Sequence, residues 1–392
     1  MLRGELYRGK VPSDIYLQMV EDVLLYGKDK APRGHKTKEL HPVWTSLSHA
    51  AYQKLIILPG RGINYAFALA EVLWIMSGRG DLEFIKFYNP RMEDYIDLGP
   101  DFNGSYGKRI RRAGYDNDPS LIVKSYKGYT PLSRIANGPN FYSTFMPHMV
   151  TVDQLEMVYH KLKEDINSRQ CVVTLWDPIK DNLIAAKDYP CNISLIFSVV
   201  DEQFLDLTVI RRSNDVVWGY PYNMIQFTSI QEYMAGWLGL KTGAFFETID
   251  SLHIYTELYP QQLRYFERLT RETRDYTNNL YGPDLTGNSE GVTSKETMDT
   301  ILSYFWIAEP EWRRTLPALR HEDLSLYVTR ELYGAIGAVP SPYWRKVLTF
   351  LLAYHLYKLK EYPLVHKLVL ECQDLRFSDM AKETFQSMYK EG

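Results

Sequence analysis

The chain has 392 residues, of which 45% are hydrophobic and 24% charged, and a formal net charge of −3. This balance is typical of a globular protein with a large core, and it excludes a general attraction to nucleic acid or anionic membranes. Three cysteines are too few and too widely spaced for a disulfide framework or a zinc site. No apolar run approaches the span of a bilayer, and the amino terminus lacks the apolar core of a signal peptide. We expect a soluble, cytoplasmic protein with no metal, no nucleic-acid partner and no membrane partner.

The first part of the chain carries three helical patterns. Residues 13–27 repeat apolar side chains at helical spacing, from a capping serine or aspartate to a final glycine. The stretch that follows, to residue 40, is polar and basic and is predicted to be an exposed loop. Residues 63–78 are apolar almost all round, which indicates a buried helix. Residues 152–166 have the pattern of an amphipathic helix.

A dense β region comes next. Strands are predicted over residues 171–177, 192–200 and 204–213, and the short polar link between the last two indicates a hairpin. Residues 221–239 have a proline at the start and a glycine at the end, as a helix often does. Residues 244–255 return to a strand pattern.

The composition changes after about residue 260. Residues 276–296 are polar and loop-like, and from Met298 onward the patterns are helical. We therefore predict one domain over residues 1–260 and a mainly helical region over residues 261–392.

Two residues in apolar surroundings are candidates for chemistry. Cys191 directly follows a proline at the start of a predicted strand, where a cysteine is either a buried packing residue or a nucleophile. Glu71 is the only charged residue between Ile63 and Met76. A lone carboxylate there is either paired with a structural arginine or, with a raised pKa, used in proton transfer.

The stretch RRSNDVVWGYPYN, residues 211–223, is the most informative. Arg212 and Ser213 suit a phosphate, the first through bidentate charged hydrogen bonds and the second through its hydroxyl. Asn223 is either a helix cap or, since its amide both donates and accepts, a group that binds the edge of a uracil ring. Together with Cys191, these residues outline a pocket for a pyrimidine nucleotide.

Seven short motifs in order resemble the thymidylate synthase family over roughly residues 14–258. They are RGHKTKEL, AEVLWIMSG, GSYGKR, NSRQ, YPCN, RRSND with WGYPYN, and HIY. The resemblance implies an α/β (α+β) fold with a large mixed or antiparallel sheet flanked by helices, to which the helical carboxyl-terminal region is added. It also implies a homodimer that binds a nucleotide and a folate, with 5,10-methylenetetrahydrofolate as the one-carbon donor and no metal.

The resemblance further implies a role for each matching residue. Cys191 would add to C6 of the pyrimidine, and Asn223 would hold the O4/N3 edge of uracil. Arg33, Arg212, Ser213 and the partner subunit's Arg169 would bind the phosphate. His253 and Tyr255 would bind the sugar 3′-hydroxyl. Glu71 and Tyr106 would organise the water and proton transfers at C5, and Asp215 would face the folate. A thiol next to clustered arginines suits the first step, because the thiolate is the nucleophile.

The chain departs from the family pattern in several places. Asn192 replaces the histidine that usually follows the nucleophile, Arg211 replaces a glutamine, and Gln170 replaces a second arginine of the partner chain, which thins the phosphate shell. Residues 81–105 contain no tryptophan, whereas the methylating members carry tryptophans that shelter the methylene group. The helical carboxyl-terminal region has no evident counterpart of the short apolar tail that closes thymidylate synthases over folate. In these respects the chain resembles the pyrimidine nucleotide hydroxymethylases, above all those of phages, and Asn223 favours uracil over cytosine.

The resemblance thus implies hydroxymethylation of deoxyuridylate at C5. Two alternatives stay open. The first is methylation of deoxyuridylate, as by thymidylate synthase itself. The second is a nucleotide-binding protein with a lapsed active site, which Asn192 and Gln170 favour, and whose helical extension would dock a partner. The choice between deoxyribose and ribose also stays open.

Overall fold

The computed structural model describes residues 4–50, 54–58, 60–97, 99–113, 152–183, 185–269, 294–372 and 375–390. The predicted polar loop over residues 276–296 lies outside these ranges except for its last three residues. Of those three, Lys295 and Glu296 already belong to a helix.

Eight strands form one mixed sheet in the described part of the chain. They are β1 Glu5–Gly9, β2 Lys28–Lys30, β3 Thr37–Leu40, β4 Val43–Leu47, β5 Val172–Thr174, β6 Asn192–Val200, β7 Phe204–Asp215 and β8 Lys241–Tyr255. The order is β1-β4-β8-β7-β6-β5, and β3 pairs with β8 beyond β4 and carries β2 on its other side. The β1–β4 and β7–β8 pairs are parallel, and the other pairs are antiparallel.

Along the chain, helices lie between the strands of the sheet and continue after the last strand. Up to residue 269 they are α1 Pro12–Tyr26, α2 Tyr65–Met76, α3 Leu82–Tyr88, α4 Tyr106–Arg111, α5 Gln154–Glu164, α6 Pro178–Leu183, α7 Gly219–Leu238 and α8 Pro260–Arg268. After residue 294 they are α9 Lys295–Thr315, α10 His321–Leu326, α11 Tyr333–Gly337, α12 Pro342–Lys358, α13 Tyr362–Glu371, α14 Leu375–Thr384 and α15 Gln386–Lys390. Short turns of 3-10 helix span Pro32–Gly34, Pro90–Tyr95 and Leu316–Ala318, and a π-helix spans Tyr327–Leu332. Within the described ranges, no helix combines the length and the apolar character needed to cross a membrane.

The expected α/β class, with a mixed sheet and flanking helices, is confirmed. Helix α7 links the parallel strands β7 and β8 and packs on both of them and on α2. Every residue of α2 except Glu71 is buried, as its apolar sequence predicts. Helix α7 begins two residues earlier than predicted and ends, as predicted, before Gly239.

Two local predictions are wrong. Residues 27–40 are not one exposed loop, because β2 and β3 form a hairpin around the turn Pro32–Gly34, and β3 is buried where it pairs with β8. Helix α1 has no serine or aspartate cap, since it begins with Pro12 and its amino-terminal residue Val11 makes no side-chain cap. Instead, the carboxylate of Asp14 accepts the backbone N–H groups of Lys10 and Val11 at 2.7 and 3.0 Å.

The region after Met298 is helical wherever the structure describes it, as predicted. Its central helix, α12, is buried over most of its length and packs against α2 and α9. A buried polar cluster joins α12 to α3 and α9: the Tyr88 hydroxyl donates to Glu309 Oε1 at 3.3 Å and lies 3.2 Å from His355 Nε2 of α12. Arg313 Nε donates to the same oxygen of Glu309 at 2.6 Å. One hydrophobic core therefore continues from the sheet into the carboxyl-terminal helices. The division of the chain after residue 260 stays a prediction.

Candidate active site

Three adjacent strands bring the predicted residues to one end of the sheet. Because β6 runs antiparallel to β7, the first residue of β6, Asn192, lies opposite Arg211 near the end of β7. Because β8 runs parallel to β7, Asp215 lies opposite His253. The start of β6 and the carboxyl ends of β7 and β8 thus form one edge, where Cys191 stands.

The thiol of Cys191 is half-buried and faces two polar groups of β7. Its Sγ lies 3.8 Å from Arg212 Nη2 and 3.6 Å from Ser213 Oγ. The backbone is held on both sides, because the N–H donates to Tyr106 Oη at 3.2 Å and the carbonyl accepts Arg212 N–H at 2.9 Å. The guanidinium thus places a positive charge beside the sulfur. This geometry suits a nucleophile better than a packing residue.

The guanidinium of Arg212 is anchored on the segment that leads to the nucleophile. Nε donates to the carbonyl of Pro190 at 2.9 Å, and Nη2 donates to the carbonyl of Tyr189 at 3.1 Å. Nη1 lies 3.5 Å from Ser213 Oγ. Arg212 therefore places a positive charge beside both the thiol and the Ser213 hydroxyl, as a site for a phosphate near the nucleophile requires.

Glu71 lies on α2 opposite Gln226 of α7. Gln226 Nε2 donates to Glu71 Oε2 at 2.5 Å, so the partner of this carboxyl is an amide and not the structural arginine that was one alternative. Burial raises the pKa of Glu71 to about 8, the negative charge of Asp188 adds to the increase, and the hydrogen bond from Gln226 opposes it. At neutral pH the carboxyl is therefore mostly protonated.

This shift predicts how stability depends on pH. The folded state keeps a proton on Glu71 that the unfolded state releases, so the free energy of unfolding falls as pH rises from about 4.5 to about 8. Glu71→Gln removes this dependence, on the order of a few kcal/mol across that range. We expect the melting temperature of the unmodified protein to fall more between pH 5 and pH 8.5 than that of Glu71→Gln, as measured by calorimetry. Parallel curves for the two proteins would contradict the assignment.

Tyr106 and Asp215 belong to two different elements of the site, the start of α4 and the end of β7. The Tyr106 ring packs edge-on against Phe227, and burial raises the pKa of its hydroxyl above the ordinary value, so it stays neutral. Asp215 accepts the backbone N–H of Val217 at 2.9 Å. Burial raises the pKa of Asp215, while the charge of His253 opposes the increase.

Asn223 and the sugar-binding candidates complete the pocket. Asn223 Nδ2 donates to Asn214 Oδ1 at 3.0 Å, and this bond orients the amide. His253 is buried, and its ring lies edge-on to Tyr255 with the ring centres 5.1 Å apart. Arg33, in the exposed turn before β3, contributes a hydrogen bond to Tyr255. The structure thus brings Arg33 to the same end of the sheet as His253.

Arg169 is not part of this assembly within its own chain. It is exposed in the turn before β5. Two residues later, the carbonyl of Cys171 accepts the N–H of Phe197 at 2.9 Å. Phe197 is six residues along β6 from Cys191, a distance of roughly 20 Å at the usual rise of a strand.

Two of the departures from the family pattern contact each other. Arg211 is fully buried, and its guanidinium donates to Glu247 Oε1 at 2.8 Å and also bonds Asn192 Oδ1. It lies over the ring of Phe227, 4.8 Å from the ring centre. Arg211 therefore faces the interior and not the phosphate.

Two residues that hold the site together were not predicted from the sequence. Glu247 is the partner of Arg211 and also accepts the hydroxyl of Thr45 at 2.8 Å. The available signal was a lone acid within the apolar stretch AFFETI of the strand. Gln226 holds Glu71, and its place three residues after Asn223, on the same side of α7, could have indicated it.

A sequence model of the family described as thymidylate synthase matches residues 14–282. The chain belongs to the thymidylate synthase family. The resemblance carried by the seven motifs is thereby confirmed.

Named relatives within the family fall into two groups. The chain is 36% identical over 255 residues to "Deoxyuridylate hydroxymethyltransferase" of Bacillus phage SP01, which covers 64% of the chain and 59% of the relative. A protein of the same name from Pseudomonas phage M6 is 30% identical over 207 residues, 53% of the chain and 49% of the relative. "Thymidylate synthase" of Mycoplasma genitalium is 26% identical over 266 residues, 66% of the chain and 86% of the relative. The chain thus spans about half to three-fifths of the length of these two phage relatives.

Three aromatic side chains follow Asp215 in this thymidylate synthase family member. The rings of Trp218 and Tyr222 are nearly parallel, with centres 6.4 Å apart, and Tyr259 packs edge-on against Trp218. Asp215, at the end of β7, lies three residues before Trp218. Aromatic faces beside a carboxyl match a flat heterocycle that carries ring N–H donors.

Proposed function

We propose that the chain transfers a one-carbon unit from 5,10-methylenetetrahydrofolate to C5 of deoxyuridylate with addition of water. The products are 5-hydroxymethyldeoxyuridylate and tetrahydrofolate. The observation that carries the proposal is a thiol flanked by Arg212 and Ser213, together with the desolvated carboxyl of Glu71. The names of the phage relatives support the same reaction.

The proposed reaction begins with addition of the Cys191 thiolate to C6, which makes C5 nucleophilic. C5 then attacks the methylene group of the folate. Removal of the C5 proton, through water held near Glu71 and Tyr106, expels tetrahydrofolate and leaves an exocyclic methylene on the ring. Water adds to that methylene, and the thiolate of Cys191 leaves from C6.

Water, rather than hydride, is proposed as the final reactant because of the segment around α3. This helix turns its aromatic side chains toward the carboxyl-terminal helices: Phe84 packs on Trp306 with ring centres 4.6 Å apart, and Tyr88 stacks on Tyr354. Residues 81–105 contain no tryptophan to hold the methylene against a hydride donor or to keep water away.

One assay separates the candidate reactions. The protein is incubated with deoxyuridylate and methylenetetrahydrofolate while absorbance is followed near the dihydrofolate band, and the product is then weighed by mass spectrometry. We expect a flat trace and a nucleotide one oxygen heavier than thymidylate. Deoxycytidylate is the matched control, which the amide of Asn223 should disfavour.

The other outcomes of this assay identify the alternatives. A rise in absorbance in proportion to product would show methylation with oxidation of folate, the thymidylate synthase reaction. Retention of all tritium at C5 of labelled deoxyuridylate would indicate a lapsed active site.

We further propose a homodimer formed through the sheet face opposite the helices. Alternate residues on this face are apolar and exposed or half-exposed. They are Leu6, Trp44, Val172, Ile196, Ile210 and Phe246. Pairing in the sheet aligns them on one side, since Leu6 lies opposite Trp44 and Val172 opposite Ile196. A second copy of the chain would cover this face and carry its Arg169 to the phosphate site of the first.

Hybrid dimers test the shared site. Arg169→Ala and Cys191→Ser chains, each inactive alone, are mixed under conditions that exchange subunits. A hybrid has one site with both an intact thiol and an intact arginine, so random exchange should restore about a quarter of the original activity. Exchange demonstrated by a mass tag without any recovered activity would argue for sites contained in one chain.

Two further expectations also belong to the proposal. All three cysteines are free, which supports a reducing compartment and hence the cytoplasm, that of a phage-infected bacterium if the phage relatives indicate the source. We also propose that residues 1–260 carry the chemistry and that residues 261–392 support them, because α12 packs on the helix that carries Glu71.

A further inference from the structure

Asp188 places a second carboxyl next to the groups already described. Its Oδ2 accepts the backbone N–H of Gly104 at 2.9 Å, and its backbone carbonyl accepts Asn103 Nδ2 at 3.1 Å. Gly104 is two residues before Tyr106, whose hydroxyl oxygen accepts the N–H of Cys191. Asp188 is three residues before Cys191. The segments 104–106 and 188–191 therefore contact each other at two points, the Asp188 carboxylate and the backbone N–H of Cys191.

The contact at Gly104 is a close one. A Cβ atom added at this position would lie 2.7 Å from Asp188 Oδ2 and 3.0 Å from its Cγ, closer than carbon and oxygen atoms approach without displacement. The absence of a side chain at residue 104 therefore allows the carboxylate to reach the backbone N–H. This hydrogen bond favours the ionised form of Asp188.

The negative charge of Asp188 affects the two groups proposed for the water and proton transfers. It contributes to the raised pKa of Glu71 and to that of Tyr106. Burial raises the pKa of Asp188 itself, and the bond from Gly104 opposes the increase. The charge of Arg109 lowers the pKa of Asp188, and the charges of Asp97 and Asp181 raise it. Asp181 is buried in an ion pair with Arg109 at 2.6 Å, whereas Asp188 is partly buried and accepts the N–H of Gly104.

The number of protons to be removed favours a second base. Transfer of a hydride to the exocyclic methylene requires removal of one proton from the nucleotide, that at C5. Addition of water requires a second acceptor, because the water gives up a proton as its oxygen bonds to carbon. Glu71 is mostly protonated at neutral pH, since its pKa is about 8, so it is poorly suited to accept both protons.

We propose that Asp188 is a further catalytic residue, the base that takes the proton of the water that adds to the exocyclic methylene. This inference rests on the proposed hydroxymethylation. The water O–H bond breaks, its proton passes to the Asp188 carboxylate, and its oxygen bonds to the methylene carbon. The electrons of the exocyclic double bond move toward the C4 carbonyl as an enolate. The enolate then forms the C5–C6 double bond as the C6–S bond to Cys191 breaks, with no net oxidation.

Asp188→Asn tests this role by separating the two halves of the reaction. Release of tritium from C5 of labelled deoxyuridylate reports the steps before hydration, and mass spectrometry of the nucleotide reports hydration. Both are measured in a single turnover, because an enzyme stalled at the methylene can release only one equivalent of tritium per site. We expect this release at a rate within about threefold of the original and hydroxymethyl formation lowered about 100-fold, as for loss of a general base. Added 2-mercaptoethanol should capture the stalled methylene as a thioether of the nucleotide.

Two companion variants make the result specific. Gly104→Ala displaces the carboxylate without removing its charge and should lower hydroxymethyl formation more than tritium release, which also tests the proposal if Asp188→Asn does not fold. Asp101→Asn removes a carboxylate of the same segment that pairs with Lys108 at 2.6 Å, and it should leave the ratio of the two rates unchanged.

The outcomes that overturn the inference differ from those that overturn the proposed function. Equal losses of tritium release and hydroxymethyl formation in Asp188→Asn would show that Asp188 only positions the Gly104–Tyr106 segment. An unchanged rate of hydroxymethyl formation would show that another group activates the water. Formation of thymidylate by the unmodified protein would refute the hydroxymethylation itself, before any variant is made.

Discussion

Replacement of Cys191 by serine should lower the release of tritium from C5 of deoxyuridylate by more than about 1,000-fold. A serine hydroxyl at neutral pH is a far weaker nucleophile than a thiolate beside a guanidinium, and Arg212 Nη2 lies 3.8 Å from the sulfur. Without addition at C6, C5 does not become nucleophilic and its proton is not lost. Binding of deoxyuridylate should persist, because Arg212, Ser213 and Asn223 are unchanged.

A second cysteine provides the matched control. Cys372 is buried at the end of α13, and its thiol lies 3.5 Å from the carbonyl of Leu368, a contact that a serine hydroxyl can also make. Cys372→Ser should release tritium at close to the original rate. Binding is measured by calorimetric titration with deoxyuridylate, so that loss of catalysis is separated from loss of the site. Near-normal tritium release by Cys191→Ser would remove this residue from the mechanism.

The elements that carry the site were predictable because their signals are local. The strand β6 has the bounds predicted for it, and α2 was indicated by a run of apolar residues that the core buries. The edge strand β1, its neighbour β4, and the hairpin of β2 and β3 were not predicted. Lys28–Lys30 is polar and exposed, so its strand conformation comes from pairing with β3, which in turn pairs with β8 more than 200 residues away. A pattern within a short window contains no information about such a partner.

The same distinction applies to the candidate site. Residue types and order placed Cys191, Arg212 and Ser213 together, and the structure brings them within 4 Å of one another. The sequence also showed that Asn192 and Arg211 depart from the family, but not that they contact each other. That contact follows from the register of β6 against β7, which side-chain composition does not determine. Arg169 is exposed in the turn before β5, and its proposed role requires the second subunit of the proposed homodimer.

Glu247→Leu should lower the free energy of unfolding by about 3–5 kcal/mol, because it leaves the buried charge of Arg211 without its counter-charge. Both side chains are completely buried, and the pair is joined at 2.8 Å. The variant also removes the acceptor of the Thr45 hydroxyl. Stability is measured by urea unfolding of the whole chain, with tritium release followed in parallel, since Arg211 bonds the residue next to the nucleophile.

A double-mutant cycle with a surface control decides whether the buried pair acts as a unit. Arg211→Met combined with Glu247→Leu removes both charges, so the double variant should be more stable than Glu247→Leu alone. The ion pair of Lys36 and Glu257 is as short, at 2.6 Å, but both side chains are more than half exposed, and Glu257→Gln should change stability by less than about 1 kcal/mol. If Glu247→Leu and Arg211→Met instead have additive effects, Arg211 is stabilised by Asn192 and Phe227 rather than by Glu247. The two departures from the family pattern would then be independent of the buried acid on β8.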